Sequence, residues 1–372
     1  MRYQQPLPDR YLSMTEEELA AGIRARKHQL GTRLVILGHH YQRHDVIQFA
    51  DFVGDSLRLA QLGTQQKQAE FIVFCGVHFM AEAADILTGD DVKVILPDLG
   101  AGCSLADMAD IDQLEDAWEF FHAADGHATG IVPITYINST AAIKAFCGDH
   151  GGACCTSGNA TAMLDWAFEQ GGKVLFLPDQ HLGRNTAYSM GIPLEQMAVY
   201  DPEVPNGGLN PQQVREVKVL LWKGHCAVHQ LFTVEQCDEI HRADAEYQIL
   251  VHPECPWEVV QRADLAGSTE FIIRTIREAP AGSKWAIGTE FHLVDRLINN
   301  YPDKSIRSLA GIQCLCETMF RIDLRHLAWV LDELAAGRIV NQITVDPETT
   351  RAALVALDRM LANVPAKPIA IK

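Results

Sequence analysis

A chain of 372 residues can hold two or three compact units, and its 48% hydrophobic and 21% charged residues are those of a globular protein. A net charge of −17 speaks against a nucleic-acid partner, though not against a local pocket for an anionic substrate. No apolar run reaches the ~18 residues of a membrane helix, and the opening Met1-Arg2-Tyr3-Gln4-Gln5-Pro6 has no apolar leader core, so neither membrane insertion nor secretion is expected.

Residues 14–30 predict a helix, with Thr15 as a cap ahead of Glu16-Glu17-Glu18. Apolar runs then predict strands in three groups. The first holds Leu34–Leu37, Phe71–Phe74 and Val92–Leu96, and the second Gly130–Tyr136, Ala153–Cys155 and Val174–Leu177. The third holds Lys218–Trp222, Tyr247–Val251 and Trp285–Gly288. Amphipathic stretches alternate with these runs, which reads as α/β with parallel sheets. The string Val94-Ile95-Leu96-Pro97-Asp98 is echoed by Leu175-Phe176-Leu177-Pro178-Asp179, and Ile287-Gly288-Thr289-Glu290 takes the same place in the third group. A recurrence of roughly 90 residues suits three similar three-layer α/β domains, against the alternative of one large doubly wound sheet. The polar stretch Asp201–Gln213, rich in Pro and Gly, is the expected domain junction. Residues 322–337 predict a helix with Gly337 near its end. The expected division is an N-terminal helical segment (1–30), three α/β domains (31–126, 127–213, 214–313) and a C-terminal segment (314–372).

Ligands of open α/β sheets sit beyond the carboxyl ends of the strands. There the chain carries Gly38-His39-His40-Tyr41-Gln42, Cys75-Gly76-Val77-His78-Phe79-Met80 and Asp98-Leu99-Gly100-Ala101-Gly102-Cys103. It also carries Tyr136-Ile137-Asn138, Gly224-His225-Cys226-Ala227-Val228-His229, His252-Pro253-Glu254-Cys255 and Gly288-Thr289-Glu290. Gly54-Asp55-Ser56, Thr156-Ser157-Gly158 and Gly267-Ser268-Thr269 place hydroxyls at expected helix starts, where free N–H groups receive phosphate or carboxylate. Each is also an ordinary cap. The ten cysteines include no CxxC array; in a reduced setting most are expected to be buried hydrophobes. Cys103 and Cys226 follow strands in comparable loops, and Cys314 lies ahead of Glu317-Thr318-Met319. Three thiolates from three thirds of the chain could hold a [4Fe–4S] cube by three corners and leave one iron open.

The strings His39-His40-Tyr41-Gln42, Ala50–Leu57, Gly76–Glu82, Ala101–Asp107, Thr135–Ser139, Pro178-Asp179-Gln180, Trp222–His229, His252–Cys255 and Gly267–Glu270 closely resemble quinolinate synthases in order and spacing, over residues 30–335. The resemblance implies three α/β domains in pseudo-threefold arrangement around one [4Fe–4S] cluster per chain, held by three cysteines with one iron open. It places the ligands at Cys103, Cys226 and Cys314, the last by its distance from Met319, and makes Cys316 a bystander. It implies that iminoaspartate and dihydroxyacetone phosphate condense to quinolinate, phosphate and water, in the cytoplasm, as a step of NAD biosynthesis. Its catalytic residues would be Glu254 as base with His39, Tyr41 and His229. Its substrate contacts would add Ser56, Met80, Tyr136, Asn138, Ser157, His252 and Thr269. Functional coupling to an L-aspartate oxidase and a monomeric or homodimeric state go with it. The alternatives are an aconitase-like open-iron hydro-lyase, which would normally carry a CxxC pair, and a triplicated binding module with incidental cysteines.

Overall fold

The computed structural model describes residues 4–65, 68–89, 91–126, 130–311 and 314–363. The expected borders 126/127 and 313/314, and the chain beyond 363, touch residues outside this set. The chain forms two compact units, residues 1–103 with 315–346 and residues 104–314 with 347–372. Strands run in chain order as β1 (Leu34–His39), β2 (Phe52–Gly54), β3 (Phe71–Cys75) and β4 (Lys93–Ile95). Then follow β5 (Ile131–Tyr136), β6 (Ala153–Cys155), β7 (Lys173–Leu177), β8 (Met197–Tyr200) and β9 (Val219–Trp222). The last are β10 (Tyr247–Val251), β11 (Leu265–Ala266), β12 (Lys284–Gly288), β13 (Ser305–Ser308) and β14 (Gln342–Ile343).

The first unit is built on the sheet β14-β4-β3-β1-β2, parallel except where β14 runs antiparallel to β4. Every residue of β1 and β3 is buried, as continuous apolar runs must be when helices cover both sheet faces. The expected N-terminal helix spans Glu16–Leu30, and Thr15 closes a capping box with Glu18. It buries Leu19, Ile23 and Leu30 and packs against the helix Leu324–Ala335. There Asp332 accepts from the Tyr11 hydroxyl and from Arg26 Nε, both at 2.7 Å.

The second unit holds two wholly parallel sheets, β6-β5-β7-β9-β8 and β11-β10-β12-β13. The helix Pro347–Ala362 crosses Ala141–Asp149 at Gly148, where a Cβ would fall 2.0 Å from the Ala352 carbonyl oxygen; only glycine admits that approach.

The α/β class and the triplication are legible in the strand order. In each sheet the first strand of the repeat is flanked by the short second strand and the third, and the fourth lies beyond the third. The orders are β2-β1-β3-β4, β6-β5-β7-β9 and β11-β10-β12-β13. Three sequence expectations change. Val219–Trp222 is the fourth strand of the second repeat, since β9 pairs with β7 and β8, and does not belong to the third group. The stretch Asp201–Gln213 links β8 to β9 inside that sheet rather than joining two domains. The Val94–Asp98 echo pairs a fourth strand, β4, with a third strand, β7, so those positions are not equivalent.

Candidate active site and metal centre

Strand by strand, the candidate residues fall at matching carboxyl ends. First strands end at His39 (β1), at Tyr136 with Asn138 beyond it (β5), and ahead of His252 (β10). Second strands are followed by Asp55-Ser56, Thr156-Ser157 and Ser268-Thr269. Third strands lead into helices that carry Met80 or start after Asp179 or Glu290. Fourth strands are followed by Cys103, Cys226 and the pair Cys314 and Cys316. Strands that end together in a parallel sheet deliver their following loops to one edge of that sheet.

In the first unit, His39 is buried and its Nδ1 accepts the Tyr41 main-chain N–H at 3.1 Å. The two rings meet edge to face at 4.7 Å. Ser56 opens the helix Ser56–Gln65, but Asp55 does the capping by accepting from Arg58 N at 2.9 Å. Met80 is buried in the helix His78–Thr88. Ahead of Cys103, Asp98 accepts from Gly100 N at 2.7 Å and from Arg321 Nε at 3.0 Å. His78 Nδ1 lies 3.5 Å from Glu82 Oε1.

In the second unit, Glu254 is 3% exposed, and its Oε2 lies 3.0 Å from both His229 Nδ1 and His252 Nδ1. The imidazoles stack at 4.5 Å with planes 19° apart. His252 Nδ1 is also 3.4 Å from Glu254 N; the shorter contact decides its role, since a bare lone pair facing a carboxylate at 3.0 Å would be repelled. His229 Nε2 meets Thr289 Oγ1 at 3.2 Å. Burial pushes the Glu254 carboxyl up, but the two imidazoles outweigh it and hold the group well below the usual carboxylate range. Burial, then His229, pushes His252 down. Glu254 Oε1 is buried without a hydrogen-bond partner among the described residues. Ligating atoms of Cys226, His229 and Glu254 lie within 4.8 Å of one another. Beside them, Asp179 is fully buried; burial and then Glu254 push its carboxyl well up, while main-chain N–H groups of Leu182, His181 and Cys226 pull against the shift. Thr269 is buried at the first turn of Thr269–Glu278, with Ser268 as the cap. Ser157 and Asn138 are half-buried, and Asn138 Oδ1 has no partner among the described residues.

None of the ten cysteines forms a disulfide. Cys75, Cys147, Cys154, Cys155, Cys237 and Cys255 are buried, and burial pushes their thiols up, to about 12 for Cys75 and Cys154. Only Cys103, Cys226 and Cys316 are half-buried. Hydrogen bonding separates Cys314 from Cys316. In each repeat the first residue of the helix after the third strand donates its N–H to the loop after the fourth: His78 to Ala101 O, Gln180 to Gly224 O, and Phe291 to Cys314 O, at 2.8, 3.0 and 3.0 Å. The acceptors stand two residues before Cys103, Cys226 and Cys316. The carbonyls of Cys226 and Cys316 both accept from the residue four further on, at 3.0 and 2.9 Å. Cys314, by contrast, is fully buried, and burial followed by Glu290 pushes its thiol up. By this pattern Cys316 takes the place in the third repeat that Cys103 and Cys226 take in the first two.

Half-buried thiols of this kind are soft donors suited to iron and sulfide. The partnerless Glu254 oxygen beside Cys226 fits a site with something further to bind. Sequence reasoning missed Asn185, whose amide Nδ2 donates to Pro253 O at 2.8 Å and to Cys255 O at 2.9 Å, on either side of Glu254.

The family model described as quinolinate synthetase A protein matches residues 21–362. A quinolinate synthase of Anoxybacillus flavithermus is 56% identical over 98% of both chains. That of Geobacillus sp. is 58% identical over 96% of both, and that of Nocardioides sp. 57% identical over 94% of this chain and 90% of its own. With near-complete coverage at this identity, the chain belongs to the quinolinate synthase family of enzymes.

Proposed function

We propose that the protein condenses iminoaspartate with dihydroxyacetone phosphate to give quinolinate, phosphate and two waters, using a [4Fe–4S] cluster held by Cys103, Cys226 and Cys316. Membership of the family brings an iron–sulfur cofactor and small-molecule substrates. No helix among the described residues is long and apolar enough to cross a membrane. The observation that carries the ligand set is the equivalence of the three cysteine loops, each tied to the helix after a third strand by one N–H···O bond.

When bound, such a cluster with one iron lacking a cysteine supplies a Lewis acid that polarises a substrate oxygen and eases loss of hydroxide. The chain's own groups do the rest. Glu254 is held anionic by His229 and His252, and its Oε1 is free to take the proton next to the leaving hydroxyl. Thr289 fixes the His229 ring through Nε2, which keeps Nδ1 on the carboxylate. His39 and Tyr41 orient the triose phosphate. Ser56, Ser157 and Thr269 take its phosphate and the aspartate-derived carboxylates, with Met80, Tyr136 and Asn138 against the intermediate. Anaerobically purified protein should contain iron and acid-labile sulfide and form quinolinate from the two substrates. Iron-containing protein that turns over neither would end this reading, as would full turnover without iron.

A further inference from the structure

We propose that Asn185 is a positioning residue for Glu254: its side-chain amide pins the two carbonyls flanking that residue and so sets where the carboxylate stands. The inference rests on the reading of Glu254 as the base. Asn185 lies in the helix Gln180–Ser189, and it is 2% exposed. Its Nδ2 donates to Pro253 O at 2.8 Å and to Cys255 O at 2.9 Å. Carbonyl oxygens only accept, so the amide orientation is fixed by chemistry; the reversed rotamer would set three oxygens against one another. Asn185 Oδ1 is left buried without a partner among the described residues. An unsatisfied buried acceptor costs free energy, so the double donation outweighs what an apolar side chain of this size would gain. The same helix grips the Cys226 loop at its other end. Asp179 caps it by accepting from His181 N and Leu182 N, both at 2.8 Å, and Gln180 N donates to Gly224 O at 3.0 Å. Gly183 lets it lie flush on the sheet, since a Cβ there would come within 2.7 Å of Leu221 and Phe176. One rigid helix thus spans from the loop of Cys226 to the loop of Glu254 and holds the thiol and the carboxylate at a fixed separation, though it supplies neither.

The test is Asn185→Asp, which keeps shape but loses the donors, with Asn185→Ala in its place if that variant does not fold. Hydrogen exchange of the peptide around Glu254 and Cys255 should speed up at least about tenfold, with distant peptides unchanged. In the anaerobic holoenzyme, iron content and KM should stay within about twofold while kcat falls about 10- to 100-fold, the scale of a misplacement near 1 Å. Added to Glu254→Gln, the change should cost less than about twofold more, because it acts through Glu254 alone. Unchanged exchange of the loop, a loss carried by iron content, or a full additional loss in the double variant would overturn the proposal. Wild-type enzyme that fails to make quinolinate would instead overturn the reading of Glu254, while the exchange result would still judge the clamp.

Discussion

Replacing Glu254 by Gln removes the proposed base while keeping its shape. In the folded protein the Glu254 carboxylate is 3% exposed and takes two contacts of 3.0 Å from imidazole Nδ1 atoms. Hydrogen bonds to a charged group are worth about 1.5–3 kcal/mol each. Taking the carboxylate out of water costs several kcal/mol, less than that sum, since the carboxyl is held well below its usual range. Glutamine keeps the shape and an acceptor oxygen for the two imidazoles but gives up the net preference for the charged form, so the variant should lose about 1–3 kcal/mol, a fall of several degrees in Tm with the fold retained. The proton-accepting function is lost outright, and a general base contributes about 10²- to 10⁴-fold in rate, or about 2.7–5.4 kcal/mol at 1.36 kcal/mol per decade. Thermal unfolding, iron content and quinolinate formation measured on one anaerobic preparation decide the matter. The expected result is normal iron, a Tm lowered by several degrees and a kcat down by at least about 100-fold. Activity within about threefold of the parent at equal iron would refute the assignment of the base.

Gly183→Ala should destabilise the fold by about 1–3 kcal/mol, because its Cβ would sit 2.7 Å from Leu221 and Phe176 side chains in a filled core; chemical denaturation reads this, and an unchanged midpoint would contradict it. Burial depresses His181 to about 4, and in the window between the ordinary histidine value of about 6.5 and about 4 the unfolded chain binds the extra proton. Stability from this group is therefore full above about 6.5 and lost as pH falls to about 4, by up to about 3 kcal/mol, with His252 acting in the same direction. His181→Gln should flatten that limb, and an equally steep limb in the variant would speak against burial as its cause. Arg321→Ala, removing a half-exposed partner of buried Asp98, should cost about 1 kcal/mol and speed hydrogen exchange around Gly100 to Cys103.

The long apolar strands were legible because β1, β3, β5 and β7 are buried on both faces and so read as unbroken hydrophobic runs. β2, β11 and β13 were not, being two to four residues long and partly exposed. β9 was grouped with the strands that follow it, although its partners β7 and β8 precede it, since register across a sheet leaves no local trace. Reading residues at and beyond strand ends singled out His39, Tyr136, His229, His252 and Glu254, and the structure sets them there because parallel topology imposes that position. Asn185 carried no signal, because its partners are main-chain carbonyls 68 and 70 residues away. Cys314 and Cys316 differ in burial and in which carbonyl Phe291 contacts, and neither is visible in spacing.

The claim that equivalent loops supply the cluster is tested most directly by iron, sulfide and quinolinate assays on anaerobic Cys316→Ser beside Cys314→Ser. Loss of cluster and turnover in Cys316→Ser, with both retained in Cys314→Ser, is the predicted result. The reverse pattern, or a full cluster in each variant, would contradict it.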